Sequence, residues 1–294
     1  MKKTVLLLIL LATLLSGCAA TQSQAQIAAT TLPVYEFTAR LCEGTELTVA
    51  PLVTEAVSCL HDYSLNVRQV RAVEAAELVI ISGAGLEDFM EDLLHDKSVI
   101  DSSEGIALIE GGHHHDHDHE EASHEDHRHE NDPHIWLSPE NAKTMTRNIC
   151  SGLSAQYPQY APTFEANLAV LTADLDVLQA YAEVQLKDLS CRELITFHDG
   201  FAYLAHSFNL EILEAVEEES GSEASASELI HLIEEVEHHR LPAIFTEKLG
   251  SVSAARIIAD ETGADVYVLD MAMYGEGYFS AMYHNISTLK GALG

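Results

Sequence analysis

Histidines, cysteines and acids are the groups in this chain whose types and spacing could do chemistry. Eight of its 17 histidines, His113, His114, His115, His117, His119, His124, His127 and His129, share one stretch with eight acids between Asp116 and Asp132. Imidazole is the commonest side-chain ligand for borderline metals such as zinc. A segment this polar, with no apolar period, reads as a solvated mobile loop over 113–131. Such a loop can hold several ions weakly but cannot impose one geometry, so these eight are expected to be secondary, low-affinity metal sites. The bland alternative is a dispensable solvated insertion.

Position sorts the other nine histidines. His61 sits in the loop after a strand, His134 where the His-rich stretch gives way to apolar sequence, and His198 directly after the strand-like run ELITF. Ligands of open α/β sheets gather beyond the carboxyl ends of strands. Three imidazoles placed there, with one oxygen, suit tetrahedral zinc; Asp270, just past the strand at 265–269, is the candidate fourth ligand. Asp199 and Glu247 are candidates to orient the site or shape the cleft. His206, His231, His238, His239 and His284 fall within predicted helices and His95 near the end of one, where solvated or core-satisfied histidines are the rule. Three histidines with an open position also describe a catalytic zinc site. However, the chain has no HExxH, no Gly-rich phosphate loop and no GxSxG. A binding role is therefore favoured over hydrolysis.

The elements that must carry these residues alternate. Strands are expected at 27–32, 47–53, 78–82 and within 98–109, with helices at 33–41, 67–76 and 86–94, which reads as an α/β lobe with a parallel sheet. A helix over 138–155 opens on a Ser cap and Pro139. The next helix, 162–189, keeps apolar residues at three/four spacing from Phe164 to Leu189. At about 1.5 Å per residue it would run roughly 40 Å, a rigid spine between lobes. A second alternation follows, with strands at 193–197, 210–216, 243–245 and 265–269, an acidic loop at 217–224, and helices at 200–208, 225–239, 252–262 and 278–293. The expected layout is an N-terminal lobe over 27–161, a linking helix over 162–189 and a C-terminal lobe over 190–294.

The N-terminus reads as a processing signal. Two lysines precede an apolar run from Thr4 to Leu15, shorter than the ~20 residues a membrane span needs. Leu15-Ser16-Gly17-Cys18 resembles the bacterial lipobox, which makes 1–17 a signal peptide, Cys18 a lipidated N-terminus and 18–26 a tether. Removing 1–17 takes away two lysines and no acids, so the net charge moves from −32 to −34. That excludes nucleic acid as a partner and makes cations the natural small ones. Export permits disulfides. The four remaining cysteines allow three pairings, of which Cys42–Cys59 and Cys150–Cys191 keep each bridge within a lobe or beside its boundary.

Several stretches, in this order, resemble the cluster A-I (cluster 9) solute-binding lipoproteins of zinc and manganese ABC importers. They are His61-Asp62-Tyr63, AAELVIISGAGLEDF from Ala75, DPHIWLSPENA from Asp132, TFHDGFAYLAHSFNL from Thr196, SEASASEL from Ser222, AIFTE from Ala243 and YGEGYFSAMYHNISTL from Tyr274. The resemblance implies two α/β lobes, a rigid linking helix and a metal held between them by His61, His134 and His198, with Asp270 or water fourth. It implies a monomeric, lipid-anchored, extracytoplasmic protein that captures Zn(II) and passes it to an ABC permease and its ATPase. Manganese-type members usually carry a carboxylate at the third position, where this chain has His198, which favours zinc. Manganese or another divalent metal, or a zinc-storing surface adhesin, are the alternatives. The chain departs from the family at Glu55–Leu60, where a Gly- and Pro-bearing turn is usual, and in a shorter segment from Met271 to Gly277.

Overall fold

The computed structural model describes residues 25–57, 60, 63–111, 131–216 and 224–294. The expected signal peptide, Cys18, Cys59, His61 and all eight loop histidines lie outside the described residues. Two four-stranded parallel sheets form the two lobes, as the alternation predicts. In the first, β1 (Ile27–Ala29), β2 (Val49–Pro51), β3 (Leu78–Ile81) and β4 (Ser98–Asp101) lie in the order β2-β1-β3-β4. In the second, β5 (Glu193–Thr196), β6 (Glu211–Ala215), β7 (Ala243–Glu247) and β8 (Asp265–Leu269) repeat that order as β6-β5-β7-β8. Around the first lie α1 (Leu32–Leu41), α2 (Val67–Ala75), a single turn α3 (Glu91–Leu94) and α4 (Pro139–Gln156). The long α5 (Ala161–Gln185) leads to α6 (Ala202–Ser207), α7 (Ala226–His239), α8 (Ser253–Thr262) and α9 (Tyr278–Leu293).

Side-chain alternation along the strands decides the layering. Ile27, Ala29, Leu78 and Ile80 face one core, whereas Ala28 and Val79 face another with Val73 of α2. In the second sheet Leu194, Ala243 and Phe245 face inward, and Ile195, Phe197 and Ile244 pack outward against Leu232, Val236 and Ile258 of α7 and α8. The inward faces of both sheets belong to one continuous core, together with Phe37 of α1, Trp136, Leu171, Leu175 and Leu178 of α5, and Tyr278 of α9. The linking helix thus touches α1, α4 and α9. It is a packed element of that core as well as a spine.

Local chemistry sets the boundaries. Thr31 caps α1 by accepting from the Val34 N–H, so β1 must end at Ala29. Asn66 with Gln69, and Ser225 with Glu228, form capping boxes for α2 and α7. The strand expected within 98–109 closes at Asp101, whose Oδ1 accepts from the N–H and the hydroxyl of Ser103 and turns the chain. The long helix stops at Gln185 because Arg192 donates to the carbonyls of Leu186 and Lys187, although Leu186 stays buried.

Candidate metal centre

His134 opens a short 3-10 turn, Ile135–Leu137, and is fully buried. Asp132 Oδ1 accepts from the His134 backbone N–H at 2.8 Å and from its Nδ1–H at 2.8 Å. A carboxylate oxygen at that distance assigns the proton to Nδ1 and leaves a lone pair on Nε2, the arrangement by which proteins orient a metal-binding imidazole. Asp132 is itself held. Its N–H donates to the Ile109 carbonyl at 2.9 Å, and its carbonyl accepts from the Tyr203 hydroxyl at 3.0 Å. The same hydroxyl accepts from the Ile109 N–H at 3.0 Å. With the Glu110–Asn131 bridge, these contacts close the neck of the His-rich segment, whose interior lies outside the described residues.

His198 stands two residues beyond β5 and is 1% exposed. Neither ring nitrogen has a hydrogen-bond partner among the described residues. Its Nδ1 lies 3.9 Å from Oε2 of Glu247, a buried carboxylate at the end of β7. A buried polar group without a partner costs about 1–3 kcal/mol, so such a group in a native fold points to a ligand that the polypeptide does not supply. The His134 and His198 rings meet edge to face, centroids 5.2 Å apart. Gly200 makes this possible. A Cβ there would lie 2.6 Å from Met271 Cε, 2.8 Å from His198 Cδ2 and 2.9 Å from His134 Nδ1.

Asp270 follows β8 but does not join the two imidazoles. Its Oδ2 accepts from Lys248 Nζ at 2.9 Å and its Oδ1 from the Ala272 N–H at 2.9 Å. Among the described residues no three His, Cys, Asp or Glu side chains converge on a common ion position. The structure therefore brings together two of the four expected ligands, with His61 outside the described residues. Asp199 is half-buried beside His198. Three of the helical histidines are occupied elsewhere: His231 faces Glu214, His239 lies between Glu193 and Glu235, and His284 meets the Val268 carbonyl.

Among the described residues Cys42, Cys150 and Cys191 carry free thiols, so Cys150 and Cys191 are not bridged to each other; Cys59, the expected partner of Cys42, lies outside the described residues. Cys150 lies on the buried face of α4 and Cys191 precedes β5, with its thiol directed to the Glu193 carbonyl. Assigning bridges by lobe ignored this packing. Burial pushes the Cys42 thiol up to about 12, which keeps it protonated and inert.

Three positions that shape these surroundings escaped sequence reasoning: Asp132, Gly200 and Lys248. A signal existed only for Asp132, whose Asp-x-His spacing lets a side chain reach the backbone two residues on.

Residues 27–292 match the family model described as zinc-uptake complex component A, periplasmic (ZnuA). The zinc-binding lipoprotein AdcA of Streptococcus pneumoniae serotype 4 is 32% identical over 310 residues, a match covering 99% of this chain and 61% of AdcA. A crystal structure of ZnuA superposes with a TM-score of 0.79 at 29% identity, covering 92% of this chain and 100% of that one. Zn(II)-bound AdcA from Streptococcus pneumoniae gives 0.75 at 28% identity, covering 92% of this chain and 58% of that one. The chain thus spans about three fifths of the AdcA lipoproteins it matches. The two sheets, the buried imidazole pair beside the end of β5 and a family match running from the first strand into the last helix agree, and the chain belongs to the zinc-uptake complex component A (ZnuA) family.

Proposed function

We propose that this protein is the extracytoplasmic zinc-capturing component of an ABC importer, which binds Zn(II) tightly and hands it to a membrane permease driven by its ATPase. The observation that carries this reading is His198: buried, with neither ring nitrogen hydrogen-bonded among the described residues, beside a second buried imidazole that Asp132 orients. His61, His134 and His198 supply the imidazoles. Asp270, expected as the fourth ligand, is engaged with Lys248. Nitrogen ligands reject calcium and magnesium, which demand oxygen. Zinc is favoured over manganese because the third position is an imidazole rather than a carboxylate. The relatives named for zinc and the family description support the same cargo.

The remaining parts of the reading are these. Residues 1–17 are removed as a signal peptide, Cys18 carries a lipid, and 18–26 tethers a monomer to the outer face of the cell membrane. The His-rich segment collects zinc weakly beside the tight site. The lobes divide at the long helix, and because both sheets share one core, metal capture proceeds with small tilts and local shifts.

Competitive titration against a chromophoric chelator tests the assignment. Wild-type protein should bind one zinc ion tightly, and H134A and H198A should each lose that site. Tight one-to-one binding retained by H198A overturns the ligand assignment.

A further inference from the structure

Lys248, the residue after β7, has no place in the reading above, yet it holds the carboxylate expected to complete the site. Its ammonium lies 2.9 Å from Asp270 Oδ2 and 4.6 Å from the centroid of the Tyr274 ring. The Asp270 side chain is 7% exposed, and every polar group of that residue is tied down. Oδ1 accepts from the Ala272 N–H, the backbone N–H donates to Asn285 Oδ1 at 2.7 Å, and the carbonyl accepts from Asn285 Nδ2 at 2.8 Å. Asn285 is itself fully buried on α9. The carboxylate is therefore aimed at Lys248 by its own backbone, and the ammonium satisfies the one oxygen that the backbone leaves over. The pair is not a loose surface contact, although the lysine is partly exposed.

We propose that Lys248 withholds the Asp270 carboxylate from the metal, so that zinc is held by imidazoles with solvent in the fourth position, and that Lys248 thereby sets the metal preference of the site. The proposal rests on the reading that His134 and His198 are ligands. Ligand type sets the preference: imidazoles with water discriminate more strongly against manganese than the same site with an added carboxylate, because manganese favours oxygen donors. Removing the ammonium leaves a buried carboxylate oxygen without a partner, a group that gains most by turning to a metal ion.

The test is a two-residue cycle, K248M, D270N and the double variant, with zinc and manganese affinities measured by chelator competition. Coordination is read from zinc-edge X-ray absorption and from the d–d bands of the cobalt-substituted protein. In the wild-type background D270N should change zinc affinity by less than about threefold, because Asp270 is not a ligand. K248M should tighten zinc by about tenfold or more and tighten manganese further, narrowing the preference for zinc, with an added oxygen ligand in both spectra. The double variant should return to the wild-type coordination. K248R, which keeps the cation, should behave as wild type, and K248Q serves as a second neutral variant if K248M does not fold. A loss of about tenfold or more in zinc affinity on D270N alone overturns the proposal, as does a K248M protein with unchanged coordination and metal preference. Retention of tight zinc by H134A and H198A would instead overturn the underlying ligand assignment, which keeps the two failures distinct.

Discussion

Gly200→Ala isolates the packing that brings the two histidines together. The backbone there has an ordinary φ, so an Ala is conformationally acceptable and, by restricting the unfolded chain, would alone stabilise by about 0.4–1 kcal/mol. The new methyl, however, meets Met271 Cε at 2.6 Å, His198 Cδ2 at 2.8 Å and His134 Nδ1 at 2.9 Å. Contacts must open to roughly 3.5–4 Å. Met271 can swing its flexible end aside, but His134 is tied to Asp132 at 2.8 Å, so His198 gives way by roughly 0.7–1.2 Å. Metal–ligand distances tolerate about 0.2 Å. We expect zinc affinity to fall by about 10–100-fold, equivalent to about 1.4–2.7 kcal/mol, and the metal-free protein to lose about 1–2 kcal/mol from overpacking net of the backbone gain. Thermal unfolding reads both. With free zinc near a thousand times the wild-type dissociation constant, binding stabilises the native state by about 4 kcal/mol. At the same free zinc the variant should gain only about 1.4–2.7 kcal/mol. A G200A protein whose zinc-induced increment equals that of wild type would refute the claim that Gly200 sets the imidazole pair.

Asp132→Ala should lower zinc affinity by about 10–100-fold without abolishing one-to-one binding, because the imidazole remains but its tautomer and tilt are no longer fixed; isothermal titration reads this, and an unchanged affinity would remove Asp132 from the site. Deleting residues 113–129 should leave the tight site intact and abolish the weak ones, since Tyr203, the Ile109–Asp132 hydrogen bond and the Glu110–Asn131 bridge close the neck independently of the segment; loss of the tight site in the same titration would mean that the primary ligands lie in the loop. Burial pushes the Glu87 carboxyl up to about 7, against three donors from Thr30, Ser82 and Gly83. A folded value above the unfolded one contributes stability that is fully present below about pH 4.5 and is lost as pH rises through about 7, up to roughly 3 kcal/mol. Urea denaturation of E87Q across that window should lack this component of the slope, and a slope identical to wild type would show that Glu87 stays ionised throughout.

What could be read from the sequence follows from how local each signal is. The ends of β5 and β8 were legible because short apolar runs stop at polar residues, which placed His198 and Asp270 at the carboxyl edge of a sheet. Which group each residue faces is a matter of packing, and here local signals fail. Asp270 carries the right chemistry for a ligand, yet Lys248 and Asn285 direct it elsewhere, and both are distant from it in sequence. Gly200 reads as an ordinary turn before a helix, but its role is steric and depends on Met271, His134 and His198 at once. Asp132 was one acid among eight until its carboxylate was seen against His134. Apolar spacing overran the long helix because Leu186 keeps to the core after the backbone has turned.

The surroundings of the imidazole pair draw on both halves of the chain. His134 precedes the linking helix, but the segment that carries it is bound to the other half of the chain. The Trp136 indole donates to the Met271 carbonyl at 2.8 Å, the Trp136 carbonyl accepts from the Tyr278 hydroxyl at 3.0 Å, and the Asp132 carbonyl accepts from Tyr203. Trp136 and Tyr278 are fully buried, and Tyr278 packs edge to face on Phe37 of α1, so all these bonds lie inside the shared core. On the α1 side, Glu36 accepts from the Tyr278 N–H at 2.6 Å at the start of α9. The imidazole pair is thus set by protein packing rather than by closure of one lobe on the other. On the proposed ligand assignment, a pair fixed in this way would not lose affinity to the population of an open state, and little binding energy would be consumed in ordering it. It follows that substitutions loosening the Trp136–Tyr278 contact should weaken zinc binding at a distance, whereas substitutions on the exposed face of the linking helix should not.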